Sequence, residues 1–349
     1  MGRWVRANNM KPNTPLPSIV EIAGLAKVSA RTADLALREL VKDGVCFRRP
    51  KKGTYVAEEA KRGRMHKRII GLYTRSKFFT PDCHSFASAV YDGILGGCRD
   101  LGATSALFTD ALGENMDFFL DNGQIDYLGT IFMPHAMTAS HEEMFLKRRN
   151  VRFVQVNTRF REFAFTPDNV MGVFNDEFSG GYQAAEFLIR EGRTRFSLMG
   201  YRLLNENYAL RVKGFLQACA DRRIGVDPRS MSLDGELECS SQSGIMEYGR
   251  RTARRMLEAG TLRQAVFCVN DILAAGVADF LRERGLYPGK TAICGYDNIH
   301  PHLSNDRMFP TLAVDFEKMG RLAVDLLIRD GKTANKSVFL HPALIPRRV

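Results

Sequence analysis

The sequence predicts an α/β protein in two parts: a small N-terminal winged helix-turn-helix and a larger two-lobed body built on parallel sheets. Three observations predict it. Residues 1–68 hold 16 Lys/Arg against 6 Asp/Glu, whereas the remaining 281 residues hold 34 against 33, so nearly all of the net charge of +11 sits in the first fifth of the chain. Residues 16–56 break into short elements punctuated by helix caps and a basic turn. From Ile69 onward, apolar strand-like runs alternate with amphipathic helical stretches.

The bulk properties bound what such a chain can be. At one domain per roughly 150 residues, 349 residues make two or three domains. A composition 45% hydrophobic and 26% charged is that of a globular protein with large cores. No apolar run approaches the roughly 18 residues of a membrane span, and Met1–Arg6 has no apolar signal-like region, so a cytoplasmic protein away from membranes is expected. The seven cysteines (Cys46, Cys83, Cys98, Cys219, Cys239, Cys268, Cys294) are scattered without a Cys-x-x-Cys pair, which leaves no zinc or redox signature. Glycine-rich nucleotide loops, Gly-x-Ser-x-Gly and His-Glu-x-x-His are missing, so no enzyme and no cofactor is expected. His300-Pro301-His302 lies in a proline-containing loop and is not read as a metal site.

The basic module is shaped. Ser18 and Glu21 stand at capping-box spacing, in which a hydroxyl and a carboxylate satisfy each other's backbone amides at a helix start. Ile19, Ile22, Ala23 and Ala26 follow at helical spacing. Ser29 can cap a second helix whose buried face is Ala33, Leu37, Leu40 and Val41, stopped by Lys42-Asp43-Gly44. Val45–Phe47 and Thr54–Val56 make a hairpin around the turn Pro50-Lys51-Lys52-Gly53. Two short helices and a basic wing are the form of a DNA reader. Ser29, Arg31 and Thr32 would enter the groove, and Lys51, Lys52 and Gly53 would touch phosphate or the minor groove.

Leu16-Pro17-Ser18, Val28-Ser29, Leu37-Arg38-Glu39-Leu40, Gly44 and Lys52-Gly53-Thr54-Tyr55-Val56 together resemble the winged-helix domain of GntR-type bacterial regulators. Val20, Ala30 and Asp34 stand where that family commonly carries arginine, so the resemblance carries no operator sequence. Asp34 would repel phosphate, or accept from a cytosine amine in the major groove. Residues 57–68 are almost wholly polar and read as a linker.

In the body, strand-like runs fall at 69–73, 105–109, 128–133, 152–156, 195–199, 265–269 and 292–296, with helices at 85–101, 179–191, 207–223, 242–259 and 271–284. Alternation of this kind builds parallel sheets, whose ligands bind at the carboxyl ends of the strands. Gly180-Gly181-Tyr182, Arg211-x-x-Gly214-Phe215, Phe267–Asp271, Gly295-Tyr296-Asp297 and Phe309-Pro310-Thr311-Leu312 resemble the ligand domain of LacI/GalR-type regulators, which is similar to periplasmic sugar-binding proteins. A GntR-type head on such a body is similar in architecture to the arabinose repressors of Gram-positive bacteria.

That resemblance implies a head of residues 1–56, a linker of 57–68 and a body of 69–349. One lobe would span about 69–191 and 314–342, the other about 192–313 and 343–349. It implies a repressor that binds double-stranded operator DNA as a homodimer under the control of a small effector, a sugar, held between the lobes. The alternative is a sugar-binding or sugar-processing α/β protein without a regulatory role. By position, Arg211, Asn270 and Asp297 are ligand residues. An Arg fork donates to adjacent hydroxyls, Asn both donates and accepts, and Asp accepts from two hydroxyls. Asp271 is expected to cap the helix that follows it. Arg75, His84, Phe86, Asn157 and Arg159 of the first lobe would face the same cleft.

Overall fold

In the computed structural model the described residues are 11–42, 44–50, 52–57, 67–74, 85–109, 111–122, 124–134, 136–158, 168–201, 206–233, 235, 241–299, 309–328 and 337–347. The chain divides into two compact units at about residue 68.

The head begins with helix α1 (Ile19–Ala26), opened by the capping box: Glu21 N donates to Ser18 Oγ at 3.3 Å, and Ser18 N donates to Glu21 Oε2 at 2.8 Å. Lys27, in the left-handed region at φ 53°, ends it. Helix α2 (Ala30–Lys42) starts at Ser29, whose Oγ accepts from Thr32 N at 3.1 Å. It stops at Gly44, where φ is 66° and the amides of Gly44 and Val45 return to the carbonyls of Val41 and Leu40. A left-handed residue closing the last turn in this way suits glycine, which has no Cβ to clash. Strands β1 (Cys46–Arg49) and β2 (Gly53–Val56) form the antiparallel wing, with Cys46 opposite Val56 and Arg49 opposite Gly53. Leu16, Ile22, Ala33, Leu37, Leu40, Val45, Cys46 and Val56 make one small core. Ala26, expected on the buried face, is exposed in the last turn of α1, just before the chain reverses at Lys27.

The body runs β3 (Lys67–Tyr73), α3 (Ser85–Leu101), β4 (Ala103–Phe108), α4 (Leu112–Leu120), β5 (Ile125–Phe132), α5 (Glu142–Lys147), β6 (Phe153–Val156) and β7 (Val170–Asn175). It continues α6 (Glu177–Arg190), β8 (Phe196–Met199), α7 (Glu206–Asp221), β9 (Met231–Ser232), α8 (Gln242–Glu258), β10 (Ala265–Cys268), α9 (Asp271–Glu283) and β11 (Ala292–Asp297). The chain then forms β12 (Thr311–Ala313), α10 (Phe316–Ile328), β13 (Ser337–Leu340) and β14 (Ala343–Ile345). Two six-stranded sheets result, ordered β13-β7-β6-β5-β3-β4 and β14-β12-β11-β10-β8-β9. The β5–β6, β6–β7 and β7–β13 ladders of the first are parallel, as are β9–β8–β10–β11–β12 of the second, whose edge strand β14 runs antiparallel to β12.

The chain crosses between the sheets three times: after β7, after β12 and after β13. The first crossing lies near Asp176, earlier than the expected 191. Helix α6 packs on α7 and on strands of the second sheet, so it belongs to that lobe. Glycines make this packing close. A Cβ on Gly181 would run into the Arg211 carbonyl of α7, and one on Gly214 into the Phe178 carbonyl of α6. Helix α10, which follows β12, returns to pack on α3 of the first lobe.

Candidate functional site

The carboxyl ends of the strands carry the body's polar chemistry. On the second sheet, Arg211 of α7 is 2% exposed. Its Nε and Nη2 donate to Glu177 Oε2 and Oε1 at 2.7 and 3.0 Å, and its Nη1 donates to the Val269 carbonyl at 2.6 Å. Asp297 Oδ1, at the end of β11, lies 2.9 Å from Arg211 Nη2 as an ion pair. The guanidinium also lies 3.7 Å from the centroid of the Tyr296 ring, a cation–π contact. Burial works against charge on Arg211, but Asp297 and Glu177 outweigh it and hold its proton firmly. Burial pushes the Asp297 carboxyl up to about 6, with Arg211 opposing and Glu177 adding to the rise. Two carboxylates share one guanidinium here, so neither is fully compensated. Asp297 has φ 95° and Asn298 φ 56°, two non-glycine residues in succession in the left-handed half of the map. Backbone strain of this kind collects at functional sites.

Asn270 stands beside this network. Its Oδ1 accepts from Leu273 N at 2.9 Å, and its Nδ2 donates to the Tyr201 and Tyr208 hydroxyls at 2.7 and 3.2 Å. Asn270 is therefore the cap of α9, correcting the assignment of that role to Asp271. Asp271 instead sits in the first turn and is buried, accepting from Thr311 Oγ1 at 2.7 Å and from Ile299 N at 2.9 Å. It thereby ties the segment after Asp297 to β12.

From the first sheet, Asn157 follows β6 with φ 62°. It receives Asn175 Nδ2 on its Oδ1 at 3.2 Å, and its carbonyl receives Asn207 Nδ2 of α7 at 3.2 Å. The end of β6 thus meets the first turn of α7 through Asn157. Asn175 Oδ1 is buried without a hydrogen-bond partner among the described residues. Phe86 of α3 packs on Phe316, ring centroids 5.4 Å apart, and shares with Asp297 and Asn298 the wall of an open hollow of about 320 Å³.

Of the expected ligand residues, the structure brings Arg211, Asn270, Asp297, Asn157 and Phe86 to the strand ends. The fork of Arg211, expected to point at ligand hydroxyls, is taken by Glu177, because a buried guanidinium must be paired within the protein. The same guanidinium also pairs with Asp297. Arg75, His84 and Arg159 lie outside the described residues, as do His300 and His302. Sequence reasoning missed Glu177, Tyr201, Tyr208, Asn175 and Asn207. Tyr201 follows a strand and Tyr208 stands one helical turn before Arg211, signals that spacing alone could have raised. The described residues contain no group of three or more His, Cys, Asp or Glu able to hold a metal, and no helix long and apolar enough to cross a membrane.

In the head, Ser29, Arg31 and Thr32 are exposed at the start of α2. The Ser29 and Thr32 hydroxyls lie 2.8 Å apart and are engaged in capping, which leaves Arg31 as the outward group of the three. Lys52 and Gly53 (φ 104°) are exposed at the wing turn, and Lys51 lies outside the described residues. Asp34 is not turned toward a ligand. It accepts from Arg38 Nε at 2.9 Å and from Arg48 Nη2 of β1 at 2.5 Å, and the bond from Arg48 holds its carboxyl below the usual range. Arg49, also missed, lies 4.7 Å from the Tyr55 ring centroid and donates to Asn13 Oδ1 at 3.1 Å.

Comparison with known proteins places both parts. Residues 2–56 match the model of bacterial regulatory proteins of the gntR family, and residues 185–348 match that of the periplasmic binding protein-like domain. The chain therefore joins a GntR-type winged-helix domain to a periplasmic-binding-protein-like α/β domain. An HTH-type transcriptional repressor PurR of Pasteurella multocida is 30% identical over 175 residues, covering 49% of this chain and 50% of the relative. The chain spans about half the length of the curated relatives it matches. Among solved structures, a regulatory protein of the LacI family from Chloroflexus aggregans superposes with TM-score 0.63 at 21% identity, covering 80% of this chain and 97% of the other. A LacI family transcriptional regulator from Enterococcus faecium with bound ribose gives 0.61 at 22% identity, covering 80% and 97%. At these identities the likeness is one of fold.

Proposed function

We propose that this protein is a transcriptional repressor, not an enzyme, whose affinity for double-stranded operator DNA is set by a small polyhydroxylated effector, a sugar, bound between the two lobes. One observation carries the reading. The strand ends of the two sheets face a common seam, where Asn157 meets Asn207 and where the acceptor Asp297 is held in place by Arg211. The Asp297 carboxylate and the Asn298 amide line the open hollow, and the same strand ends carry Asn270 with the tyrosine hydroxyls it binds, a set that suits a ligand rich in hydroxyls. The head supports the DNA half of the reading, with Arg31 outward on α2 and Lys52 on the wing.

Effector binding closes the lobes, and closure changes how two heads of a homodimer are spaced on successive half-sites of a palindromic operator. Phe86 and Asn157 contribute from the first lobe, joined by Arg75 and Arg159. Asn270 and Asp297 contribute from the second.

The test selects genomic duplexes with the purified chain, then measures their binding with and without ribose, arabinose and other neutral sugars. Specific retention of a palindromic duplex that one sugar weakens or strengthens is the expected result. Retention of duplex with no response to any polyol would sink the effector half. A response to sugar with no specific duplex would sink the operator half.

A further inference from the structure

An arginine fork commonly binds one carboxylate through two parallel N–H bonds. At the end of the second sheet two carboxylates meet one fork, and they divide it unequally. Glu177 takes Nε and Nη2 of Arg211 with both of its oxygens. The Val269 carbonyl takes Nη1, and the Tyr296 ring covers the guanidinium. Asp297 is left one contact, Oδ1 on Nη2 at 2.9 Å.

Local structure fixes this division. Glu177 opens α6, which Asp176 caps by accepting from Ser179 N at 3.0 Å, and a carboxylate suits the positive end of the helix. Gly180 and Gly181 let α6 lie close: a Cβ on Gly180 would strike the Tyr296 hydroxyl, and one on Gly181 the Arg211 carbonyl. Glu177 and Arg211 are both buried, and neither lines the open hollow. Asp297 does line it, with Phe86 and Phe316. Its Oδ1 is buried, and among the described residues nothing donates to its Oδ2, which leaves Oδ2 as the oxygen a ligand can meet.

We propose that Glu177 is a positioning residue of the cleft: by occupying the Arg211 fork it confines Asp297 to one end-on contact and keeps Asp297 Oδ2 open to the effector. This role rests on the cleft being the effector site. Without the Glu177 charge the fork closes on both oxygens of Asp297, and the acceptor turns away from the hollow. The same change removes a negative neighbour that helps to hold the Asp297 carboxyl up, so Asp297 ionises at lower pH. Tyr201, Tyr208, Tyr296 and Asp271 also face Asp297, Asp315 and Glu317 share its hollow, and Arg347 bonds the adjacent Asn298. Of the charged groups, only Arg211 and Glu177 move the Asp297 carboxyl.

The experiment uses the full chain with carbon-13 in its aspartate carboxyls, the Asp297 signal being identified by its loss in Asp297→Asn. In the wild type this signal should titrate at about pH 6. In Glu177→Gln it should move back toward the ordinary value of about 4, and in Glu177→Asp, which restores the charge, it should stay near the wild-type value. Calorimetry with ribose and arabinose is the second measurement. Wild-type affinity should fall about tenfold from pH 7 to pH 5 as Asp297 takes up its proton. Glu177→Gln should bind about tenfold more weakly at pH 7, the scale of a lost hydrogen bond to a charged group, and should lose most of the pH dependence. A folding defect alone would weaken binding equally at both pH values. A third measurement needs no variant: the Arg211 Nε–H signal, held by Glu177, should be visible and slow to exchange at pH 7. An Asp297 titration unmoved in Glu177→Gln, a Glu177→Asp that titrates like Glu177→Gln, or a freely exchanging Arg211 Nε–H overturns the positioning role. Binding of neither sugar by the wild type, with the Asp297 titration moving in Glu177→Gln, counts against the sugar effector and leaves the division of the fork standing.

Discussion

Head and body each hold one charged group shared by two of opposite sign, and the two arrangements do opposite work. In the head, Asp34 is shared by Arg38 and Arg48, with side chains 24%, 66% and 40% exposed. In the body, Arg211 is shared by Glu177 and Asp297, with side chains 3%, 2% and 11% exposed. Water screens the first group, so its pairs contribute little to stability and its cations remain available to a polyanion. The second group has lost its water. Its members hold one another in a fixed geometry, and removing one strands the others. A surface that must grasp and release phosphate suits loosely paired charge. A pocket that must present one carboxylate in one orientation needs buried charge.

The sharpest way to break this comparison is to remove the shared cation of the body. Arg211→Ala leaves Glu177 and Asp297 buried without a partner and should cost about 3–5 kcal/mol of stability. Chemical denaturation of the full chain measures it. Arg211→Lys keeps the charge but not the fork, and should fall between. A loss no larger than that of a surface substitution would mean the network is not the strut the geometry describes. The corresponding change in the head is Arg31→Ala, which should weaken operator binding by about 1–3 kcal/mol while leaving unfolding unchanged. Titration of labelled duplex reads the first quantity and a thermal melt the second.

Much of this contrast was legible before the fold was known, and the reason differs by region. The capping box of Ser18 and Glu21, the face Ala33–Leu37–Leu40 and the basic turn are local, because the residues that satisfy each other stand three or four apart. Gly181 and Gly214 entered only as part of a family resemblance, and the structure shows them where α6 and α7 approach closely. What sequence could not supply was partnership over long separations. Glu177 and Arg211 stand 34 residues apart, and only the packing of α6 on α7 joins them. Asp34 read as a group facing DNA because Arg48, its partner on the wing, is 14 residues away on another element. The strand Val170–Asn175 carries Gly172 at its centre and went unread, and with it Asn175.

The buried carboxylate also makes the body sensitive to pH between about 4 and 6. Asp297 is pushed from an ordinary 3.8 up to about 6. A carboxylate whose folded value is raised penalises the folded state as it ionises, so this group's contribution to stability falls as pH rises from about 4 to 6 and is constant beyond. Effector binding should run the other way. If the ligand needs the ionised form, only about a tenth of the protein is competent at pH 5, and the apparent Kd weakens about tenfold between pH 7 and pH 5. Calorimetry with the effector found by the sugar screen tests this, and Asp297→Asn should give a weak, flat profile. A wild-type profile that is equally flat would remove Asp297 from the site.

The smallest effect belongs to the head's own shared carboxylate, and it tests the other half of the comparison. Asp34→Ala removes the acceptor of Arg38 and Arg48 but strands no buried charge. The melt of the head should therefore move only slightly, and the shift should shrink as salt is raised, since exposed pairs are screened within about 10 Å at 0.1 M. Freed from Asp34, the two arginines add to the field met by phosphate, so duplex binding should tighten slightly near about 50 mM salt and match wild type near about 200 mM. Gel shifts on specific and scrambled duplexes at both salts separate this from the reading in which Asp34 accepts from a cytosine. A base reader would lose the specific duplex alone, at either salt. A pairing group changes both duplexes together, because what it restrains is charge and not sequence.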